Sequence, residues 1–129
     1  MPLVKIETRK TWNASQKRGI MEAIHSAMRE ALKIPEKDRD IRFHEYRPED
    51  FQVSPEKTEK YILVEISMFA GRSLQAKKAL YQGIVANLGQ LGILASDIFV
   101  VLHEVPLENW GIRGGIPASE VDLGFKVGV

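Results

Sequence analysis

Hydrophobic and polar positions fall into regular periods almost from the first residue. Over residues 3–8, Leu-Val-Lys-Ile-Glu-Thr places Val4 and Ile6 on one face with polar residues between and beyond them, which predicts a strand at the chain start. The period then lengthens. Ile20, Met21, Ile24, Ala27, Met28, Ala31 and Leu32 recur at helical spacing and predict a helix over 14–33. Asn13 followed by Gln16 reads as a capping box, and Pro35 closes the helix by forcing the residue before it out of the helical region. Ile41, Phe43 and Glu45 then share one face of a strand, with Arg42, His44 and Tyr46 on the other. Segment 47–60 is polar, holds Pro48 and Pro55, and reads as a connection. A second strand–helix–strand follows: Tyr61–Met68, a helix from Ser73 to Gln90 with Gly92 as its stop, and Ile98–Val105. At the chain end Val121, Leu123, Phe125, Val127 and Val129 alternate with Asp122, Gly124, Lys126 and Gly128, which predicts a closing strand.

The two halves resemble each other. Residues 32–51 lie over 91–110 without a gap at an offset of 59, and Leu32/Leu91, Ile34/Ile93, Asp38/Asp97, His44/His103, Glu45/Glu104 and Glu49/Glu108 are identical. The same offset carried upstream pairs Val4 with Leu63 and Gln16 with Gln75, and sets Tyr61 against Pro2 and Asn13 against Arg72. The chain reads as one domain, 1–129, built of β-α-β units at about 2–51 and 61–110 with a strand tail over 111–129. The fold class is α+β: a four-stranded sheet, its strands parallel within each unit, with two helices on one face. Ile62, Val64, Ile66 and Met68 are apolar, and so are Tyr61 and Leu63 between them. Both faces of that strand therefore call for cover, and a second copy of the chain is the expected cover for the bare one.

Composition narrows the function. The 129 residues carry 18 Lys+Arg against 17 Asp+Glu, mixed along the chain, so no basic footprint for nucleic acid is present. The absence of cysteine excludes disulfides and thiolate metal sites, and the three histidines lack a ligand spacing, so no metal is expected. No apolar run is long enough to span a membrane and no leader is visible, which points to a cytoplasmic protein.

Pro2 is the first candidate for chemistry. Once Met1 is removed, it is a secondary amine at the head of a core strand, and burial lowers the pKa of such a group towards neutrality. Arg72 stands at a predicted helix start, where a cation opposes the helix dipole, so its presence calls for a reason. Asp38, His44 and His103 belong to repeat pairs and read as architectural. His25, beside the apolar stripe of the first helix, reads as a packing or surface residue.

Pro2 at the strand start, Ala70-Gly71-Arg72-Ser73 at the second helix, and Asn109-Trp110-Gly111-Ile112-Arg113-Gly114-Gly115 after the last repeat strand together resemble the tautomerase superfamily over nearly the whole chain. The doubled unit and His44-Glu45-Tyr46-Arg47-Pro48 resemble its malonate semialdehyde decarboxylase branch. The resemblance implies a cofactor-independent isomerase acting on a small 2-keto or dienoate carboxylate, with Pro2 as catalytic base. It implies Arg72 on the substrate carboxylate, Trp110 as an apolar pocket wall, and a homotrimer. Asp38 matches a water-activating aspartate of the decarboxylase branch. Arg113 interrupts the family's glycine run and is either a second carboxylate clamp or a surface charge. The arginine pair of the decarboxylase branch is missing from Met68-Phe69-Ala70-Gly71-Arg72. A hydratase, dehalogenase or decarboxylase using protonated Pro2, and a non-catalytic binding protein on the same fold, are the alternatives.

Overall fold

The computed structural model describes residues 2–128. Its elements are β1 (Leu3–Thr8), α1 (Ala14–Leu32), β2 (Ile41–Glu45), β3 (Ile62–Phe69), α2 (Leu74–Gly89), β4 (Ile98–Val105) and two short strands, β5 (Gly111–Ile112) and β6 (Ile116–Pro117). The helix limits follow local chemistry. The Asn13 side chain accepts from Gln16 N–H while the Gln16 side chain accepts from Asn13 N–H, so two donors that the first turn leaves open are satisfied at once. Lys33 ends α1 in the left-handed region, at φ 56°, and its N–H reaches the Arg29 carbonyl. Ser73 caps α2 by accepting from Ala76 N–H.

The main sheet runs β2-β1-β3-β4. Within each unit the strands are parallel, as expected, but the central pair β1–β3 is antiparallel, so the sheet is mixed. One core holds both units. Val4, Ile6, Ile62, Val64 and Ile66 of the sheet are fully buried against Ile20, Ile24 and Met28 of α1 and Leu80, Ile84 and Leu88 of α2. The opposite face is left bare, and it is mixed rather than apolar. Lys5, Glu7, Glu65, Ser67 and His103 alternate there with Leu3, Leu63, Phe99 and Val101, because paired positions across the strands share a face.

The structure also corrects the repeat register. Both N-caps, Asn13 and Ser73, and the buried triads 20/24/28 and 80/84/88 are related by 60, not 59. The duplicated ion pairs Lys17–Glu45 (2.6 Å) and Lys77–Glu104 (2.5 Å) mark the change of offset, with 60 on the helix and 59 on the strand. The connection from α2 to β4 is one residue shorter than its counterpart. Trp12, not Asn13, therefore stands where Arg72 stands, and Ile62, not Tyr61, where Pro2 stands.

A strand over 121–128 does not form. Gly124 takes φ 77°, and its N–H bonds to the Asp122 carboxylate at 3.0 Å, a local turn that breaks the extended run. Val129 and Met1 lie outside the described residues. Among the described residues no helix is long and apolar enough to cross a membrane.

Candidate active site

Pro2 is buried and directly precedes β1. Leu3 pairs with Ser67, so Pro2 falls one position further along, at the end of the sheet where β3 finishes in Met68 and Phe69. On its other side Val4 N–H bonds to the Asp40 carbonyl, which brings the loop between α1 and β2 to the same end. A cavity of about 120 Å³ opens there, walled by Lys37, Asp38, Phe69, Arg113, Leu123 and Phe125 among others. Roomier concavities exist, but they lie elsewhere. One of about 340 Å³ is a charged groove beside α1 (Arg18, Glu22, Arg39), and one of about 390 Å³ opens beside Arg9, Lys10 and Lys57 at the other end of the sheet.

Arg72 is neither solvated nor open. It is 7% exposed, and its Nη1 donates to the Leu32 carbonyl (2.5 Å) and the Lys126 carbonyl (3.3 Å). Its Cζ lies 5.9 Å from the centre of the Phe125 ring. Burial lowers the guanidinium pKa from its ordinary value, and among the described residues Nε has no hydrogen-bond partner. A buried N–H without an acceptor is costly, so this donor has capacity for an anionic ligand.

Trp110 is half-buried. Its indole N–H donates to the Val105 carbonyl (3.1 Å), and its ring meets Phe69 edge-on at 4.9 Å. Arg113 sits in the β5–β6 turn with φ 50°, followed by Gly114 and Gly115 at 83° and 101°. Three left-handed residues in a row make the turn tight, and the two glycines adopt that backbone without a Cβ clash. This turn holds Arg113 exposed at the cavity edge.

The aspartates of the repeat pair differ in their surroundings. Asp97 is buried and accepts from Thr58 N–H at 2.9 Å and from the Thr58 hydroxyl, an architectural role. Asp38 is half-buried and stands in the cavity wall. The two thus differ in their surroundings: Thr58, in the connection between the units, covers Asp97, and Asp38 lines the cavity. Sequence reasoning also passes over Phe69, Leu123 and Phe125. Of the histidines, His25 is fully buried with Nε2 3.1 Å from the Glu36 carbonyl, and His103 lies 3.0 Å from Glu65 on the bare face. Among the described residues no group of three or more His, Asp or Glu could hold a metal.

A family model described as tautomerase enzyme matches residues 38–113, and a second of the same description matches residues 2–61. The chain belongs to the tautomerase enzyme family. It is 27% identical over 121 residues to the probable tautomerase YusQ of Bacillus subtilis (strain 168), covering 89% of this chain and 95% of that protein. Its similarity to 2-hydroxymuconate tautomerase of Comamonas testosteroni is 38% over 58 residues, 44% of this chain and 90% of the relative, which is one repeat unit against a whole single-unit enzyme. Among solved structures, malonate semialdehyde decarboxylase inhibited by 3-bromopropiolate superimposes with a TM-score of 0.81 at 24% identity, covering 89% of this chain and 92% of that one. A fused 4-OT, a symmetric trimer, gives 0.80 at 24% identity, covering 91% and 96%. At these identities the likeness establishes the duplicated β-α-β fold of this tautomerase-family chain.

Proposed function

We propose that the chain is a cofactor-independent tautomerase of small 2-keto or dienoate carboxylates, with Pro2 as the general base. The observation that supports this most is the burial of Pro2 at the head of β1, at the end of the sheet where a cavity edged by Lys37, Arg113 and Asp38 opens. Removal of Met1 frees the amine. Desolvation and the nearby cations then both oppose its ammonium form, so the neutral base is populated near pH 7. The nitrogen takes the hydroxyl proton of a 2-enol acid as the C2–O bond becomes a carbonyl, and the same proton is returned from the ammonium to the carbon end of the shifting double bond. One group serves as base and then as acid, and no electrons leave the substrate.

Arg72, through its unpartnered Nε, and Arg113, at the cavity edge, hold the carboxylate in this reading. Trp110 and Phe69 form the apolar wall that keeps water from the amine. The specific observation that favours the second reading is Asp38 in the cavity wall. A carboxylate there can activate water, and protonated Pro2 would then act as an acid in hydration or decarboxylation. The assembly in both readings is a homotrimer, as in the fused 4-OT.

The test combines an intact mass, which must show loss of Met1, with ketonisation of an enol acid by the native chain and Pro2→Ala. The variant is expected to fold and to lose most of the activity. Activity that rises with pH through the amine's pKa marks Pro2 as base, and a falling limb marks it as acid. Undiminished ketonisation by Pro2→Ala, or a native chain that retains Met1 and still turns over, refutes the assignment.

A further inference from the structure

We propose that the C-terminal segment 123–127 is a wall of the substrate site, that Phe125 limits the size of the group an acid can carry beyond its carboxylate, and that Arg72 positions this segment. The inference rests on reading the cavity beside Pro2 as the substrate site.

The segment forms no strand, yet it is held at several points against one place. Leu123 and Phe125 line the cavity. The Phe125 ring stacks on Phe69 at 6.4 Å with 22° between the planes, and the Arg72 guanidinium lies over the same ring, Cζ 5.9 Å from its centre. The Lys126 carbonyl accepts from Arg72 Nη1 at 3.3 Å. Val127 Cγ1 lies 3.4 Å from where a Cβ on Gly71 would stand, an ordinary contact distance, and Gly71 takes φ 124°, a backbone that favours glycine. Arg72 thus has two separable capacities. Nη1 ties the segment to the Leu32 carbonyl of α1, and Nε remains for a ligand.

Size makes the wall consequential. Pockets for drug-sized ligands span roughly 300–1,000 Å³, and this one holds about 120 Å³. A short-chain keto or enol acid fits such a space, and an aryl-substituted acid does not unless Phe125 leaves. Shortening Phe125 enlarges the cavity at the wall that the C-terminal segment forms. Loss of the Arg72 tie frees the segment and has the same consequence, whereas loss of Arg72 as a carboxylate clamp weakens every acid alike.

The experiment titrates the full native oligomer, Phe125→Ala, Phe125→Leu and Arg72→Lys with propanoate and 3-phenylpropanoate, following tryptophan fluorescence, to which Trp12 and Trp110 both contribute, and measures ketonisation of phenylenolpyruvate. Phe125→Ala and Arg72→Lys are expected to raise the affinity for 3-phenylpropanoate relative to propanoate at least fivefold, with a smaller rise for Phe125→Leu. Phe125→Leu keeps the apolar packing and carries the test if circular dichroism shows Phe125→Ala unfolded. An unchanged ratio, or a native chain that takes the aryl acid as readily as the variants, overturns the wall. Equal losses of both acids in Arg72→Lys overturn the positioning role. A shifted ratio without ketonisation by any form sustains the wall and removes the catalytic reading beneath it.

Discussion

At the scale of single residues, the proposed chemistry turns on one amine and one guanidinium, each in a place that local preference disfavours. Arg72 precedes the N-cap of α2, against the dipole, and is nine-tenths buried with an unsatisfied Nε. If that donor takes a carboxylate, Arg72→Ala lowers kcat/KM for an enol acid about ten- to a hundredfold, since a charge-assisted pair contributes about 1.5–3 kcal/mol, and leaves the methyl ester far less affected. Parallel kinetics on the acid and its ester check this, and equal losses would remove the carboxylate role. Pro2, Arg72, Trp110 and Arg113 stand out in the sequence because each breaks a local expectation: an imino acid opening a core strand, a cation at a helix start, an aromatic before a glycine turn, a charge inside it. Phe69, Leu123 and Phe125 break none. They are ordinary apolar residues, and only the packing of two distant segments makes them one wall. Asp38 and Asp97 are alike in the repeat and differ in their surroundings, since Thr58 N–H bonds to Asp97 while Asp38 lines the cavity, a difference that identity at matching positions does not reveal.

At the scale of elements, both long helices and the four sheet strands are legible to within one or two residues, because their limits are set by neighbours in sequence: the Asn13–Gln16 box, Ser73, the left-handed Lys33. The orientation of β1 against β3 was not legible, since a period of two says which face a residue occupies and nothing about the direction of the next unit. The tail misled for a related reason. Its alternation is real, but every second residue is small or turn-forming, and Gly124 with Asp122 folds it back. One connecting element lends itself to a direct test. The loop from α1 to β2 delivers Lys37 and Asp38 to the cavity, and Glu36 ties it to α1. Arg39 and Arg29 both bond to the Glu36 carboxylate, and these bonds, Arg39's first, hold its pKa down at about 2. A carboxylate whose folded pKa lies below its unfolded value of about 4.3 contributes stability above that value and loses it as pH falls towards 2. Denaturation midpoints of the native chain are therefore expected to fall more steeply than those of Glu36→Gln between about pH 4.5 and 2, with the difference shrinking in salt because these groups are exposed. Parallel pH slopes would show that the cluster contributes nothing to the loop's stability.

At the scale of the whole molecule, the bare face of the sheet decides how this chain exists in solution. Parallel strand pairs ordinarily have both faces covered, and each unit here contributes one such pair with its outer face open. That face is not a hydrophobic plate. Lys5 pairs with Glu7 at 3.4 Å and His103 with Glu65 at 3.0 Å, between Leu3, Leu63 and Val101. Such a patchwork is tolerable in water. It also suits an interface in which apolar islands sit among hydrogen-bonded polar groups. The apolar contribution rises towards the β4 edge, where Phe99 is 52% exposed on a strand whose outer edge has no partner strand among the described residues. An open strand edge next to an exposed aromatic is a surface that calls for a partner. The expected assembly is a closed trimer of the 14.6 kDa chain, with β4 and its Phe99 at the contact between subunits. Light scattering at micromolar concentration is expected to give three chain masses for the native protein and a shift towards one for Phe99→Asp, with thermal stability falling in step because assembly and folding are linked. A native chain that is monomeric at that concentration refutes the trimer. A Phe99→Asp chain that holds three subunits after tenfold dilution removes Phe99 from the contact and moves the interface to the charged centre of the sheet.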